Sequence, residues 1–449
     1  MEITTNRIKK SNDYFKIEER NTTVKREIVA GITTFMTMAY ILIVNPITLA
    51  ETGMDINALF TATALSAIIG TLVMGLYANM PFALAPGMGL NAFFAYTVVL
   101  GMGYPWEFAL TAVFLEGLIF ILLTALNIRE AIINCIPMTI KKAISVGIGL
   151  FIAFIGLVNS GIVNTGMVAV DEGVLSGVVV KLGNIAQPGP LLTLIGVGIT
   201  GALLVKNVKG ALLIGMILTT LIGIPLGETI LPEGLNIISR PPSLEPILFK
   251  FQFHNILTWD MFIVLFTFLF VDLFDTVGTL VGVGAKAEML DEKGQLPGAK
   301  RALFADAIGT TFGAMFGTST VTTVVESASG VAEGGRTGLT AVSTAGMFII
   351  ALFLSPLFLM IPSTAVAPVL ILVGLFMMTP IKDIDLENFT EAIPAFLTII
   401  MMPLTYSIAE GITFGILSYV FIKVTTGKYK EVSPIMYVLS LLFIGKFLL

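Results

Sequence analysis

Two aspartates lie in the middle of a long apolar segment. Asp272 and Asp275 fall within residues 259–284, a predominantly apolar stretch that is long enough to cross a bilayer. A carboxylate surrounded by hydrocarbon is costly, so a membrane segment tolerates one mainly where it faces a polar cavity and binds something. The pair therefore indicates a binding site within a membrane.

Two other segments have sequences that interrupt a helix. Residues 81–89 contain two prolines and two glycines, and residues 317–325 are a run rich in β-branched side chains. The first cannot form a regular helix, and the second prefers an extended backbone. We predict a short strand in each, followed by half-helices that begin near Asn91 and Glu326 and present backbone N–H groups to a ligand.

These polar groups predict a type of ligand. The core of no predicted span contains Lys or Arg, which argues against an anionic substrate. A neutral solute with several N–H donors suits Asn91, Asp272 and Glu326, because a carboxylate can accept two such bonds side by side. A carboxyl group in an apolar cavity also binds a proton more readily, so proton coupling is expected. Asn91 could instead act only as a helix N-cap.

Other polar residues carry weaker predictions. Asp306 lies about one turn inside the cytoplasmic end of its predicted helix, where packing or capping is the favoured role, and the role of Glu116 stays open. One cysteine, Cys135, excludes internal disulfides and cysteine-cluster metal sites. One histidine, His254, excludes ligation of a metal by several histidines. Neither a metal nor a cofactor is expected.

The composition places these residues in a membrane protein. Of 449 residues, 56% are hydrophobic and 12% charged, with a mean hydropathy of +0.95, whereas about a quarter of the residues of soluble proteins are charged. We predict an all-α polytopic protein with fourteen spans near 28–50, 56–79, 81–101, 107–126, 139–159, 190–206, 209–226, 259–284, 302–317, 318–334, 338–361, 364–379, 391–406 and 409–425.

The charges predict an orientation in the cell membrane. Residues 1–27 are polar, lack the apolar core of a signal peptide, and are expected to form a cytoplasmic tail. With the N-terminus inside, basic residues collect on the cytoplasmic side, and the outside receives only Lys181, Arg240 and Lys250. The segment 435–448 is short, so both a span and an interfacial helix stay open. The net charge of −5 says little about partners, and no nucleic acid is expected.

The chain contains an internal repeat. Short motifs within residues 110–117 recur within 339–346, those at the two ends of 136–151 recur at the two ends of 361–376, and Ile69-Gly70-Thr71 recurs as Ile308-Gly309-Thr310, in the same order. Collinear matches indicate a duplication. Each copy holds seven spans, and an odd number inverts the second copy, as in secondary transporters. We therefore predict a 7+7 inverted repeat in which a short β-strand breaks the third segment of each copy.

Three motifs resemble the nucleobase/cation symporter superfamily of xanthine, uracil and purine permeases. They are residues 85–94, residues 272–279 and the segment 318–341. The resemblance is specific to the AzgA-like hypoxanthine/guanine/adenine branch, since relatives that carry uracil or xanthine usually have Glu where this chain has Asp272. It covers essentially the whole chain.

The resemblance implies both an architecture and a site. A core domain (28–126 and 259–362) would move against a gate domain (127–258 and 363–449). Residues matching Asn91, Asp272 and Glu326 would contact the purine, Gly89 would allow close approach of the backbone, and Asp275 would support the site. Asp272, Asp275 and Glu326 are the candidates for proton coupling.

These observations predict a transporter rather than an enzyme. We expect import of hypoxanthine, guanine or adenine by proton symport with alternating access. A uracil or xanthine permease is the alternative, followed by a sulfate-type anion exchanger of the same fold. An intramembrane hydrolase would need a serine–histidine pair or a metal cluster, which the chain does not offer. The preferred purine, sodium in place of the proton, and a homodimer in place of a monomer stay open.

Overall fold

The fold is described from a computed structural model. It describes residues 14–126, 137–171, 174–230, 237–291 and 296–448. Cys135 lies outside these residues. The described chain is mostly helical.

The principal helices are, in chain order, α1 (Val24–Met38), α2 (Ile41–Ala50), α3 (Ile56–Val73), α4 (Met88–Ala92), α5 (Trp106–Ala125), α6 (Met138–Asn159), α7 (Pro188–Val205), α8 (Ala211–Gly223), α9 (Trp259–Lys286), α10 (Ala299–Phe316), α11 (Ser327–Ala332), α12 (Gly338–Leu352), α13 (Ser355–Leu359), α14 (Ser363–Met377), α15 (Phe389–Thr405), α16 (Ile408–Thr425) and α17 (Pro434–Leu448). Met74–Ala78 and Phe93–Gly101 are π-helical continuations of α3 and α4.

Four strands form two small sheets. Strand β1 (Leu84–Pro86) pairs antiparallel with β4 (Val321–Thr323), so that Ala85 lies opposite Thr322. Strands β2 (Val163–Asp171) and β3 (Val174–Leu182) form a separate antiparallel hairpin. This hairpin was not predicted from the sequence.

Eight helical stretches of the described chain are long and apolar enough to cross a membrane. They are Val24–Ala50, Ile56–Ala78, Trp106–Ala125, Met138–Asn159, Pro188–Val205, Trp259–Gly284, Ser363–Asp383 and Ile408–Thr425. The apolar stretch that carries Asp272 and Asp275 is one of them. This agrees with the prediction of a mostly helical, polytopic membrane protein.

The chain forms two compact units. Unit 1 comprises residues 1–91, 105–129 and 238–355, and unit 2 comprises residues 92–104, 130–237 and 356–449. This grouping places 92–104 and 356–362 in unit 2 and 127–129 and 238–258 in unit 1, unlike the division into core and gate domains, which stays a prediction.

In unit 1, helices satisfy the outer edges of the β1–β4 pair. The Thr71 hydroxyl accepts from the Leu84 N–H at 2.9 Å and donates to its carbonyl at 3.1 Å. The Thr310 hydroxyl likewise accepts from the Val321 N–H at 3.2 Å and donates to the Val321 carbonyl at 2.9 Å. Backbone groups away from water need such partners, so these hydroxyls allow two short strands to persist within a helical protein.

The two threonines come from matching places in the sequence repeat. Each follows a glycine, Gly70 or Gly309, and α3 and α10 approach each other there. A methyl group on either glycine would lie 3.4 Å from the Cα atom of the other. Small residues at this point therefore bring the two helices close enough to support both strand edges.

A buried carboxylate joins α1 to the start of α12. Glu27 accepts hydrogen bonds from the N–H groups of Arg336 (2.9 Å) and Thr337 (3.1 Å), and from the hydroxyls of Thr337 (2.8 Å) and Thr340 (2.6 Å). Four donors compensate the loss of water around the charge. Glu27 is the last residue of the tail predicted from sequence, and its role here was not predicted.

In unit 2, the buried Lys423 forms an ion cluster. Its ammonium lies 2.7 Å from the Glu391 carboxylate and 2.6 Å from that of Glu431, and 5.3 Å from the Tyr419 ring centroid. The cluster connects the first turn of α15, the last turn of α16 and the segment that leads to α17. The hydrogen bond from Lys423 holds the pKa of Glu431 below its ordinary value of 4.5.

Replacement of Lys423 by methionine is expected to destabilise unit 2. The change leaves Glu391 without its cation. Removal of one partner of a buried ion pair strongly destabilises the folded state, because the other charge stays buried without compensation. The melting temperature of the protein in detergent should fall by several degrees at pH 7, while Lys382→Met, on the surface, should leave it unchanged.

The pH dependence tests the same cluster. Because the pKa of Glu431 is lowered in the folded state, its contribution is present above pH 4.5 and is lost as the pH falls through the lowered value. The difference between wild type and Lys423→Met should therefore persist from about pH 8 to pH 5 and shrink in stronger acid. Equal melting temperatures at pH 7 would contradict the assigned role.

Candidate functional site

The site residues predicted from sequence all belong to unit 1. Asp272 and Asp275 lie one turn apart on α9, and Gly89 and Asn91 lie in the short helix α4 that follows β1. Glu326 directly precedes α11, which follows β4. Both half-helices therefore begin where a strand of the β1–β4 pair ends.

Asp272 is buried and linked to β4. Its Oδ1 atom accepts a hydrogen bond from the Thr276 hydroxyl at 3.0 Å. That hydroxyl lies 2.7 Å from the Thr322 hydroxyl in the centre of β4. A continuous helix thus holds this carboxylate beside the strand pair, through threonines that the sequence analysis did not single out.

Asp275 connects the same helix to the first interrupted segment. It interacts electrostatically with both Asp272 and Glu326. Its Oδ2 atom lies 3.8 Å from the position that a Cβ atom would take at Gly87, and the same Cβ would lie 2.8 Å from Thr322. The close backbone approach described here occurs at Gly87, while the part assigned to Gly89 stays a prediction.

Asn91 is buried inside α4 and does not act as an N-cap. Its backbone N–H donates to the Gly87 carbonyl at 2.9 Å, and its side-chain amide nitrogen faces Met88 Sδ at 3.9 Å. Its Oδ1 atom is buried and accepts no hydrogen bond from the described residues. A buried acceptor in this state is uncommon in folded proteins, and a ligand N–H can satisfy it.

Glu326 is oriented by a tyrosine from the first span. Its Oε1 atom accepts a hydrogen bond from the Tyr40 hydroxyl at 2.6 Å. Tyr40 lies at the break between α1 and α2. Tyr40 was not predicted from the sequence, although a phenol hydroxyl within an apolar span was a usable signal.

Two further buried acids bind the hydroxyls of the second interrupted segment. Thr320 donates to Glu116 at 2.6 Å, and Thr323 donates to Asp306 at 2.8 Å. Asp306 therefore supports β4 instead of capping its own helix. His254, to which the sequence gives no role in a metal site, lies in a short 3-10 helix, with its Nε2 atom 2.7 Å from the side-chain nitrogen of Gln252.

The site as a whole presents acceptors. Three carboxyl groups and one amide oxygen come from α9, α4 and the start of α11, and they suit a ligand that donates several N–H groups. Within the described part of the chain, no group of three or more His, Cys, Asp or Glu side chains is placed to hold a metal ion.

The chain is similar to a solved transporter fold. The transmembrane domain of a cyanobacterium bicarbonate transporter, BicA, superimposes with a TM-score of 0.64. The match covers 86% of this chain and 97% of that one at 17% identity. At such low identity the likeness concerns the fold alone.

Three relatives match nearly the whole chain. The permease MJ0326 of Methanocaldococcus jannaschii is 49% identical, covering 97% of each chain. The guanine/hypoxanthine permease PbuG of Bacillus subtilis is 47% identical (97% of this chain, 99% of the relative). The adenine permease AdeP of Escherichia coli is 42% identical (96% and 94%).

A family model described as a permease family (Xan_ur_permease) matches residues 25–414. This match covers most of the chain, and it confirms a multi-pass membrane protein that is not an enzyme. Together with the relatives, it confirms the resemblance stated from the motifs. The chain belongs to this permease family, the nucleobase/cation symporters, in the branch of the purine permeases.

Proposed function

We propose that this protein imports purine nucleobases, namely hypoxanthine, guanine or adenine, across the plasma membrane by proton symport. The observation that carries the proposal is the set of acceptors around the β1–β4 pair, in a chain whose close relatives are named as guanine/hypoxanthine and adenine permeases. Guanine, hypoxanthine and adenine each present N–H groups on both rings or their substituents, and such acceptors can bind them.

The proposed contacts are those of the residues that the motifs indicate, and the buried acceptors of the site support them. Asn91 Oδ1, Asp272 and Glu326 accept N–H groups of the purine, and Gly89 allows the ring to approach the backbone. Asp275 supports the site through its interaction with both other carboxyl groups. Tyr40 holds Glu326 in one orientation.

Proton coupling is supported by the proximity of the carboxyl groups. Like charges in an apolar environment repel each other, so a cluster of this kind takes up a proton readily. We assign the transported proton to Asp272, which lies on a continuous helix and is fully buried. Sodium is the alternative ion.

The proposed topology has fourteen segments in two inverted copies of seven, of which eight are the long apolar helices. The matched Gly70-Thr71 and Gly309-Thr310 contacts support a duplication, because both play the same part at their strands. We propose a core domain (28–126 and 259–362), which carries the site residues, and a gate domain (127–258 and 363–449), with alternating access between two states.

A competition assay distinguishes the proposed function from the alternative transporters of the same fold. Unlabelled guanine, hypoxanthine, adenine, xanthine, uracil and sulfate compete against labelled hypoxanthine in cells that express the chain. Guanine or adenine should inhibit uptake of the label as unlabelled hypoxanthine does, while uracil and sulfate should not. Stronger inhibition by uracil or xanthine than by guanine and adenine supports the uracil or xanthine permease, and inhibition by sulfate supports the exchanger.

Glu326→Gln is expected to abolish purine uptake or weaken it severely. The carboxylate accepts two N–H bonds, whereas an amide offers one acceptor and places a donor opposite a donor. Initial rates of hypoxanthine uptake, corrected for the amount of protein in the membrane, measure the effect. The surface variant Glu387→Gln should behave as wild type, and normal kinetics of Glu326→Gln would remove Glu326 from the site.

Asp272→Asn should uncouple transport from the proton. The amide imitates a permanently protonated acid, so the variant should keep some purine exchange but lose accumulation against a gradient. Its residual rate should not vary between about pH 5 and pH 8. Accumulation that a protonophore still abolishes would move the coupling to Glu326 or Asp275, and dependence of the wild type on sodium would reject proton coupling.

The orientation is tested with two epitope tags. A tag before Met1 should be inaccessible to antibody in intact cells, and a tag inserted after Asn184 should be accessible, because basic residues collect on the cytoplasmic side. Labelling of both after permeabilisation is the control. Labelling of the N-terminal tag on intact cells would contradict the proposed topology.

A further inference from the structure

Glu116 is a buried carboxyl group outside the proposed purine contacts. It lies on α5, within a predicted span, and its side chain is fully buried. Its Oε2 atom accepts a hydrogen bond from the Thr320 hydroxyl at 2.6 Å. A carboxyl group within a membrane span is costly, so this position requires a physical reason.

Thr320 joins the two interrupted segments. While its hydroxyl donates to Glu116, its carbonyl accepts the N–H of Gly87 at 3.0 Å. The Gly87 carbonyl in turn accepts the N–H of Asn91 at 2.9 Å. Three hydrogen bonds in series therefore connect Glu116 to the backbone of the half-helix that carries Asn91.

The backbone of α5 is held in place beside Glu116. A Cβ atom on the adjacent Gly117 would lie 2.4 Å from Thr311 Oγ1 and 2.9 Å from the Thr311 nitrogen on α10. The Thr111 hydroxyl, earlier on α5, accepts the N–H of Gln252 at 2.7 Å. Tight packing leaves little room for α5 to shift, so Glu116 can hold the Thr320 side chain in a defined position.

We infer that Glu116 is a positioning residue for substrate binding, acting through Thr320 and Gly87 on Asn91. The inference rests on the proposed function and deepens its site. The role requires an acceptor of the right length at position 116, so that glutamine serves in place of glutamate and alanine does not. In this it differs from Asp272, whose proposed role requires a group that titrates.

The test measures KM and Vmax of hypoxanthine uptake for wild type, Glu116→Gln, Glu116→Ala, Thr320→Ser, Thr320→Ala and the double alanine variant. We expect each single alanine variant to raise KM about tenfold at an unchanged amount of protein in the membrane. Glu116→Gln and Thr320→Ser should stay within about twofold of wild type. The KM of the double variant should be no higher than that of either single variant, because both substitutions remove the same hydrogen bond. Glu107→Ala, on the same helix, is the control.

Several results would overturn the inference while the wild type still takes up purines. They are a normal KM for Glu116→Ala, equal damage from Glu116→Gln and Glu116→Ala, or additive effects in the double variant. If Glu116→Ala does not reach the membrane, Thr320→Ala, which removes the same bond with a smaller change, decides. A wild type that transports no nucleobase would reject the proposed function itself, and the inference with it.

Discussion

The backbone N–H and C=O groups of two three-residue strands need hydrogen-bond partners from other segments, whereas a helix pairs these groups within itself. Strands β1 and β4 achieve this by pairing with each other and by taking the hydroxyls of Thr71 and Thr310 at their outer edges. Because unpaired backbone groups are costly away from water, loss of one strand would leave the other exposed. The positions of both half-helices depend on these hydrogen bonds.

The strand pair also determines where the acids lie. Thr320 and Thr323 donate to buried carboxyl groups on α5 and α10, and Thr322 is linked to Asp272 on α9 through the Thr276 hydroxyl. A β-branched run therefore has two uses. Its branching favours an extended backbone, and its hydroxyls distribute hydrogen bonds to three surrounding helices.

Much of this arrangement could be predicted from the sequence, because its signals are local. Proline and glycine in residues 81–89 and β-branching in residues 317–325 indicate interruptions, and the carboxylates of α9 stand out in an apolar stretch. The partners could not be predicted in the same way. Tyr40 meets Glu326 and Glu116 meets Thr320 across more than two hundred residues. Such pairings are determined by tertiary packing, and periodicity carries no information about them.

The position of Glu27 has a consequence for how the chain is assembled in the membrane. Its four hydrogen-bond donors lie at residues 336–340, so they are synthesised only after most of the chain. A chain that emerges N-terminus first must keep this carboxylate in water until α12 arrives. The first helix can therefore form early, whereas its contact with α12 is completed only after residues 336–340 have been synthesised.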